Sequence, residues 1–381
     1  MAMLDDVPGC AAPDAKTLVR TVQTRRHLRD RRSLTGISMG RGFALVLLCA
    51  GAVLVTSGAA DARSRSKAKA APAPAPVLDA QSINAAQVSA PTGKGRAPAP
   101  SVAAAIKSEV LLDRAGFSPG QIDGKNGTND KKAISAFQQA NGLKPSGALD
   151  AETWERLAAT STDPAIVEYE IQPADVKGPF NKTVPKTLEK KAELKTLNFT
   201  NPHELLAEKF HVDPALLTKL NPKVSFDAAG TKIQVPNVAK KPSQAKVAKV
   251  VVDKTARTVR ALDGDGKQIS FYPASVGSEE RPAPSGTLPI RSVAENPTYT
   301  YRPKLKFKGV KATKPFTIAP GPNNPVGNTW IDLGDGFGIH GTPEPQNISK
   351  TESHGCVRLT NWDAEALGKM VHRGTKVEFI N

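Results

Sequence analysis

The sequence predicts a multidomain chain: a β-rich C-terminal domain with mixed strands and one helix near its end, preceded by a small three-helix domain and an α+β module. Three observations predict it. The 381 residues exceed a single core of roughly 150 residues and suggest two or three domains. The apolar period changes from helical spacing between 103 and 160 to strand alternation after Lys246. Two low-complexity breaks, 63–102 and 238–246, bracket the folded units.

Composition narrows the class further. A hydrophobic share of 39%, with 30 Gly and 31 Pro, is that of an ordinary globular chain and excludes collagen, coiled coil and global disorder. The 52 Lys and Arg against 36 Asp and Glu give +16, which favours polyanionic partners without choosing among them. Cys10, Cys49 and Cys356 are too scattered for a disulfide framework or a thiolate zinc site.

The N-terminal quarter addresses the chain. Residues 39–62 read as a signal peptide. Met39-Gly40-Arg41 precedes an apolar run from Phe43 to Val55, and Ala60-Asp61-Ala62 offers a small-x-small cleavage site. The run is too short for the roughly 20 residues that span a bilayer, so membrane association is through the signal peptide or transient. The long, Arg-rich leader 1–38 makes Met39 an alternative start of translation. The expected location is the periplasm or cell wall, which excludes nucleic acid as a partner. Removing residues 1–62 subtracts eight basic and five acidic residues and leaves about +13 on the exported chain. That chain keeps one cysteine, Cys356, and so has no internal disulfide; a lone exported thiol points to a reactive group. Residues 63–102, with Ala-Pro repeats from Ala71 to Pro76, read as a disordered Ala/Pro/Lys linker.

Residues 103–160 carry three helical patterns: Ile106, Val110 and Leu111; Ala133, Ile134 and Phe137 closed by Gly142; and Trp154 and Leu157 after an Asp150 cap. The phrases Gly116-Phe117, Ile122-Asp123-Gly124, Ala136-Phe137-Gln138, Gly142-Leu143, Leu149-Asp150 and Thr153-Trp154 resemble the three-helix peptidoglycan-binding-like domain of wall enzymes. Residues 167–237 show helix patterns at Leu205, Leu206, Ala207 and Phe210 and again at Leu216, Leu217 and Leu220-Asn221-Pro222. A closing run follows from Gly230 to Pro236. This resembles a LysM module, a glycan-binding fold, opened by a strand at 169–171 and interrupted by a Lys- and Pro-rich insertion of about thirty residues.

From 247 to 381 the pattern is β: strands at 247–252, 258–262 and 268–276, with Asp263-Gly264-Asp265-Gly266 supplying hairpin-turn residues. Thr360 with Asp363 makes a capping signature for a helix over 360–372, Gly374 follows it, and a strand at 377–380 closes the chain. Within this region Ile339-His340-Gly341-Thr342 and Ser353-His354-Gly355-Cys356-Val357-Arg358-Leu359 contain what a thiol nucleophile needs. A cysteine of ordinary pKa near 8.5 is mostly protonated at neutral pH, so acyl transfer wants an imidazole beside it. His340 and His354 are both close in sequence. In an extended segment His354 and Cys356 share a face; in a tight turn the backbone N–H of His354 matters more. Gly355 lets the backbone approach a substrate carbonyl, so the N–H groups of Gly355 and Cys356 offer an oxyanion hole.

These motifs resemble the L,D-transpeptidase catalytic domain, the YkuD family. The likeness extends to Pro282-Ala283-Pro284-Ser285-Gly286-Thr287-Leu288, to Pro320-Gly321-Pro322-Asn323-Asn324-Pro325-Val326-Gly327 and to Trp330-Ile331. It implies Cys356 as nucleophile, His340 as general base, and the Gly341 carbonyl as the group that orients the imidazole. It also implies an oxyanion pocket around Ser353, His354, Gly355 and Cys356. Arg358 becomes a candidate for a substrate carboxylate, and Trp330 and Tyr301 candidates for pocket walls. The implied chemistry is two-step acyl transfer: a peptidoglycan tetrapeptide stem loses D-alanine to form a thioester, and an amine resolves it. A 3→3 cross-link, D-amino-acid exchange or anchoring of an outer-envelope protein follows, according to the amine. Water as acceptor would make a carboxypeptidase. No cofactor and no metal are expected. The competing readings are a sortase-like enzyme, disfavoured by the short His-to-Cys spacing, a noncatalytic wall-binding protein, and a zinc peptidase on His340, His354 and His372, disfavoured by the absence of His-Glu-x-x-His.

Overall fold

The computed structural model describes residues 78–88, 99–239, 246–305, 309–353 and 355–381. The leader 1–38, the signal segment 39–62, most of the linker 63–102 and the centre of the linker 238–246 lie outside the described residues.

Part of the expected linker is folded. Helix α1 (Ala80–Ala85) is capped by Asp79, which accepts from Ser82 N at 2.7 Å, and it buries Ile83 completely. Asn84 donates to Ile166 O and accepts from Ile166 N, and Lys107 Nζ donates to Asn84 O and Ala86 O. Six residues with a single apolar anchor give no periodicity to read. Then α2 (Val102–Arg114), α3 (Thr128–Ala140) and α4 (Ala151–Ala158) enclose Leu111, Leu112, Ala133, Ile134, Phe137, Trp154 and Leu157, whereas Ile106 and Val110 of the first expected stripe pack into the core of the second module. Asp150 caps α4 by accepting from Thr153 N at 2.8 Å.

In the second module β1 (Ile166–Glu170) pairs antiparallel with β2 (Lys232–Pro236), Ile166 opposite Pro236. The opening strand thus begins three residues earlier than expected. Between the strands lie α5 (Pro173–Lys177), α6 (Leu188–Ala192), α7 (Pro202–Lys209) and α8 (Pro214–Leu220). The two expected helices, α7 and α8, each start with proline and are capped by Asn201 and Asp213. The insertion contributes α5 and α6.

The C-terminal region is built on two sheets. The first orders β5 (Gln268–Pro273), β4 (Thr258–Leu262), β3 (Lys249–Asp253), β13 (Lys376–Ile380) and β6 (Gly286–Pro289), with β3 and β13 parallel and the remaining pairs antiparallel. The second orders β12 (Val357–Arg358), β11 (Phe337–His340), β10 (Thr329–Gly334) and β7 (Ser292–Glu295). A separate hairpin pairs β8 (Tyr299–Tyr301) with β9 (Phe316–Ile318). Val250, Val252, Val259, Ala261 and Tyr272 of the first sheet meet Ile331, Leu333, Ile339 and Val357 of the second in one core. Helix α9 (Asn361–Met370) adds Ala364 and Leu367 to it. Thr360 caps α9 by accepting from Asp363 N at 3.1 Å, as the sequence predicts.

The third strand stops at Pro273 rather than continuing to 276. The chain leaves the first sheet there and pairs elsewhere: Ser275 exchanges both backbone bonds with Arg358, at 2.8 and 2.9 Å, and Gly277 bridges Ser353. The first module is also joined to this region. Ser118 N donates to Phe271 O and Phe271 N donates to Gly116 O, both at 2.9 Å, so Phe117 bridges β5. Ser118 Oγ donates to Asp363 Oδ2 at 2.9 Å in a buried contact.

Candidate active site

The register of the second sheet decides where the site residues point. In the parallel pair of β11 and β12, Ile339 lies opposite Val357 and His340 opposite Arg358; across β10, Trp330 lies opposite His340. Side chains alternate faces along a strand. Ile331, Ile339 and Val357 therefore enter the core between the sheets, while Trp330, His340, Cys356 and Arg358 share the opposite face. On that face Trp330 and Cys356 belong to one cluster with Leu197, Tyr299, Tyr301, Ile318 and Val326.

The imidazole of His340 is held by two neighbours. Trp330 lies against it, ring centres 5.6 Å apart and planes 17° from parallel. Its Nδ1 lies 2.7 Å from the Gly341 carbonyl oxygen. A carbonyl only accepts, so Nδ1 carries a proton. Burial, reinforced by the Arg358 charge and opposed by the Gly341 carbonyl, pushes the ring's pKa down to about 3. At neutral pH the ring is therefore uncharged, and Nε2 presents a lone pair. These are the properties of a general base whose tautomer is fixed by its neighbour.

Asn361, which the sequence marks only as the first residue of a helix, fixes the Gly341 peptide. A Cβ on Gly341 would stand 2.2 Å from Asn361 Oδ1, and one on Gly327 would stand 1.9 Å from the same atom. Only a backbone without side chains approaches so closely. Asn361 Oδ1 accepts from Asn328 N at 3.3 Å and its Nδ2 donates to Pro322 O at 3.2 Å. From the second module, the half-buried Glu208 hydrogen-bonds Asn361, while its inaccessible Oε1 has no partner. Burial raises the Glu208 pKa to about 8.

Cys356 is 1% exposed, with Sγ 3.8 Å from Gly336 O. In this structure, which carries the full chain, Cys356 is disulfide-bonded; the other two cysteines, Cys10 and Cys49, lie outside the described residues. The absence of a disulfide expected above concerned the exported chain, which lacks both. The turn into Cys356 is shaped by Gly355 at φ +104, a value that L side chains rarely adopt. Ser353 anchors the same turn: its Oγ donates to Cys356 O, and its N donates to Val276 O at 3.2 Å. His354 lies outside the described residues.

Arg358 is half-buried, its pKa lowered by burial and raised by the Glu344 charge, with NH1 3.5 Å from Thr351 Oγ1. Trp330 and Tyr301, expected as pocket walls, are 0% and 2% exposed. Their position corrects that expectation. Each packs into the apolar cluster, Trp330 beneath His340 and Tyr301 against Phe316, so they floor and support the site rather than line an open cleft. Among the described residues the grouping of three metal-competent side chains is Glu109, Asp123 and Asp130, in the first module.

A two-sheet β domain with histidine and cysteine on one face of paired parallel strands defines the class. Comparison with known proteins narrows it. The sequence profile of the L,D-transpeptidase catalytic domain (YkuD) matches residues 248–379, and a peptidoglycan binding domain profile matches 106–157. YbiS of Escherichia coli (strain K12), described as a probable L,D-transpeptidase, is 27% identical over 187 residues, 48% of this chain and 61% of its own. YqjB of Bacillus subtilis (strain 168) is 30% identical over 134 residues, 34% of this chain and 68% of its own. The crystal structure of L,D-transpeptidase 3 from Mycobacterium tuberculosis is 17% identical, covers 40% of this chain and 76% of its own, and has a TM-score of 0.30. The chain belongs to the L,D-transpeptidase family. It spans about three fifths of the length of YbiS.

Proposed function

We propose that the protein is a cysteine-dependent L,D-transpeptidase acting on peptidoglycan tetrapeptide stems. The observation that supports this reading is the strand register that sets His340 opposite Arg358, two residues beyond Cys356, with the ring neutral and its Nδ1 turned to the Gly341 carbonyl. The chemistry is that of the reduced cysteine. Nε2 of His340 takes the Cys356 thiol proton, and the thiolate attacks the carbonyl of the third stem residue. The C–N bond to the terminal D-alanine breaks, a thioester forms on Cys356, and the imidazolium returns its proton to the departing amine. An incoming amine then attacks the thioester, giving its proton to His340, and the thiolate leaves. Amide N–H groups at His354, Gly355 and Cys356 are assigned to the oxyanion, Ser353 to the anchoring of their turn, and the Gly341 carbonyl to the orientation of the ring. Burial and the Arg358 charge hold the imidazole well below its usual pKa, so the ring is unprotonated across the neutral range.

Export to the periplasm or cell wall belongs to the same reading. Among the described residues no helix is long and apolar enough to cross a membrane. The three-helix domain and the βααβ unit, read as LysM-like, hold the enzyme on the insoluble polymer and raise the local concentration of stems. The amine acceptor is another stem, a D-amino acid or an outer-envelope protein. Incubation of residues 63–381, reduced, with a purified disaccharide-tetrapeptide tests the reaction by mass spectrometry. The expected product is a dimer lacking one D-alanine. A tripeptide monomer alone would instead mark an L,D-carboxypeptidase, and unchanged substrate would refute the enzymatic reading.

A further inference from the structure

The loop between His340 and Cys356 is held partly from outside the catalytic region. It runs from the end of β11 through a 3₁₀ turn at Pro345–Asn347 to Ser353 and the turn into Cys356. At its middle Ile348 is fully buried, and Ser349 takes φ +65, a left-handed conformation that a side-chain-bearing residue keeps only where its surroundings over-determine it. Those surroundings are hydrogen bonds. Ser349 N donates to Ser275 Oγ and Ser349 Oγ donates to Ala274 O, each at 3.1 Å, while Ser349 O accepts from Arg257 NH1 at 3.3 Å. Arg257 also pairs with Glu352 at 3.1 Å. Ser275 is the residue that exchanges both backbone bonds with Arg358, and Arg358 lies opposite His340. The middle of the loop is thereby tied, through one residue, to the strand that follows Cys356.

Two more of the loop's bonds come from the first module. Asn129 and Lys132 are three residues apart on α3 and share a face. Asn129 Nδ2 donates to Ile348 O at 3.2 Å, and Lys132 Nζ donates to Ser349 Oγ at 3.5 Å. Ile348 O belongs to the peptide that enters Ser349, so the two contacts fall on the residue whose backbone is in the left-handed region and on the peptide before it. The same module also reaches the helix that fixes the Gly341 peptide. Ser118 Oγ donates to Asp363 Oδ2 at 2.9 Å, two residues beyond Asn361.

We propose that the first module is a working part of the catalytic site: Asn129 and Lys132 are positioning residues for acyl transfer, holding the loop 345–353, and through it the turn into Cys356, in the geometry the reaction needs. The inference rests on the transpeptidase reading and gives a second duty to a module whose sequence profile is that of wall binding. Ser275, Ala274 and Arg257 hold Ser349 from within the catalytic region, so loss of the α3 contacts loosens the loop without unfolding it. The reacting groups then spend less of their time aligned.

The test uses reduced residues 63–381 and a soluble disaccharide-tetrapeptide, which reports chemistry rather than attachment to the polymer. In Asn129→Ala the rate of thioester formation in a single turnover should fall about fivefold, the size of one neutral hydrogen bond, with KM nearly constant. Lys132→Met, whose contact is longer, should lose about twofold, and the double variant about tenfold. Circular dichroism and binding to isolated sacculi should match wild type in all three. Hydrogen exchange read by mass spectrometry should quicken across 345–353 and stay unchanged in the hairpin of β3 and β4. Gln139→Ala, at an exposed position of the same helix, should match wild type in every readout. An unchanged thioester rate in the double variant, a loss carried by KM alone, or a loss confined to sacculus binding would overturn the proposal. If wild type forms no thioester, the transpeptidase reading fails while hydrogen exchange in the double variant still decides whether α3 holds the loop.

Discussion

Glu208→Gln asks whether a carboxyl group from the second module really sits neutral behind the site. Glu208 is half-buried, hydrogen-bonded to Asn361 and without a partner on its inaccessible Oε1, and desolvation lifts its pKa from 4.5 to about 8. Because the folded pKa is raised, the folded state holds a proton that the unfolded chain has lost between those values. Stability therefore falls as pH rises from 4.5 to 8. At about 1.4 kcal/mol per pH unit the full span sets a ceiling of about 5 kcal/mol, and relaxation around a new charge brings the expected penalty nearer 2–3 kcal/mol. Glutamine keeps the shape and the carbonyl acceptor toward Asn361 but does not titrate. Unfolding midpoints in urea measured from pH 5 to 9 should show the variant flatter than wild type and more stable at the alkaline end. Because Asp130, with a pKa raised to about 7, titrates in both proteins, the difference isolates position 208. Parallel curves for the two proteins would refute the argument that this carboxyl is held neutral by its surroundings.

Three further outcomes are expected. Cys356→Ala should abolish turnover while leaving binding to isolated sacculi intact; cross-linking retained in that variant would remove the mechanism. Asn361→Ala leaves Asn328 N and Pro322 O without their partners and frees the Gly341 peptide, so it should cost about 2–4 kcal/mol of stability. It should also slow acylation about 10- to 100-fold with KM nearly constant, as single-turnover mass spectrometry would read. An unchanged acylation rate would reduce Asn361 to a purely structural part. The ring of His340, with its pKa depressed to about 3, refuses a proton that the unfolded chain accepts near 6.5. Stability should therefore decline on acidification through that window, and His340→Gln should soften the decline in urea titrations at pH 4 and pH 7.

Much of this molecule was legible because its signals are local. The strands expected at 258–262 and 377–380, the Thr360 cap and most of the helical stripes of the first module follow from periodicity and capping alone. His340 and Cys356 were legible because a lone exported cysteine in a Gly-flanked polar segment is chemically unusual. What escaped is nonlocal. Helix α1 has one apolar anchor, and the early end of β5 depends on Ser275 finding Arg358 some eighty positions away. Asn361, Glu208 and Leu197 carry no motif; their importance comes from which backbone they touch. Trp330 and Tyr301 were read as walls because aromatic type does not reveal depth. The tryptophan stacked on His340 required the register of β10 and β11, whereas the Gly341 carbonyl beside the ring, one residue on, was implied by the family resemblance.

The bridge from Phe117 to Phe271 has a practical meaning for anyone shortening the chain. Strand β5 is the outermost of its sheet, and the first module supplies the amide partners along that rim at Gly116 and Ser118. Cut away at residue 246, the remaining piece would present an unpaired β border with a bare phenylalanine on it, a ready template for self-association. The recombinant catalytic fragment should then precipitate where the longer chain stays in solution, because the first module shields that rim.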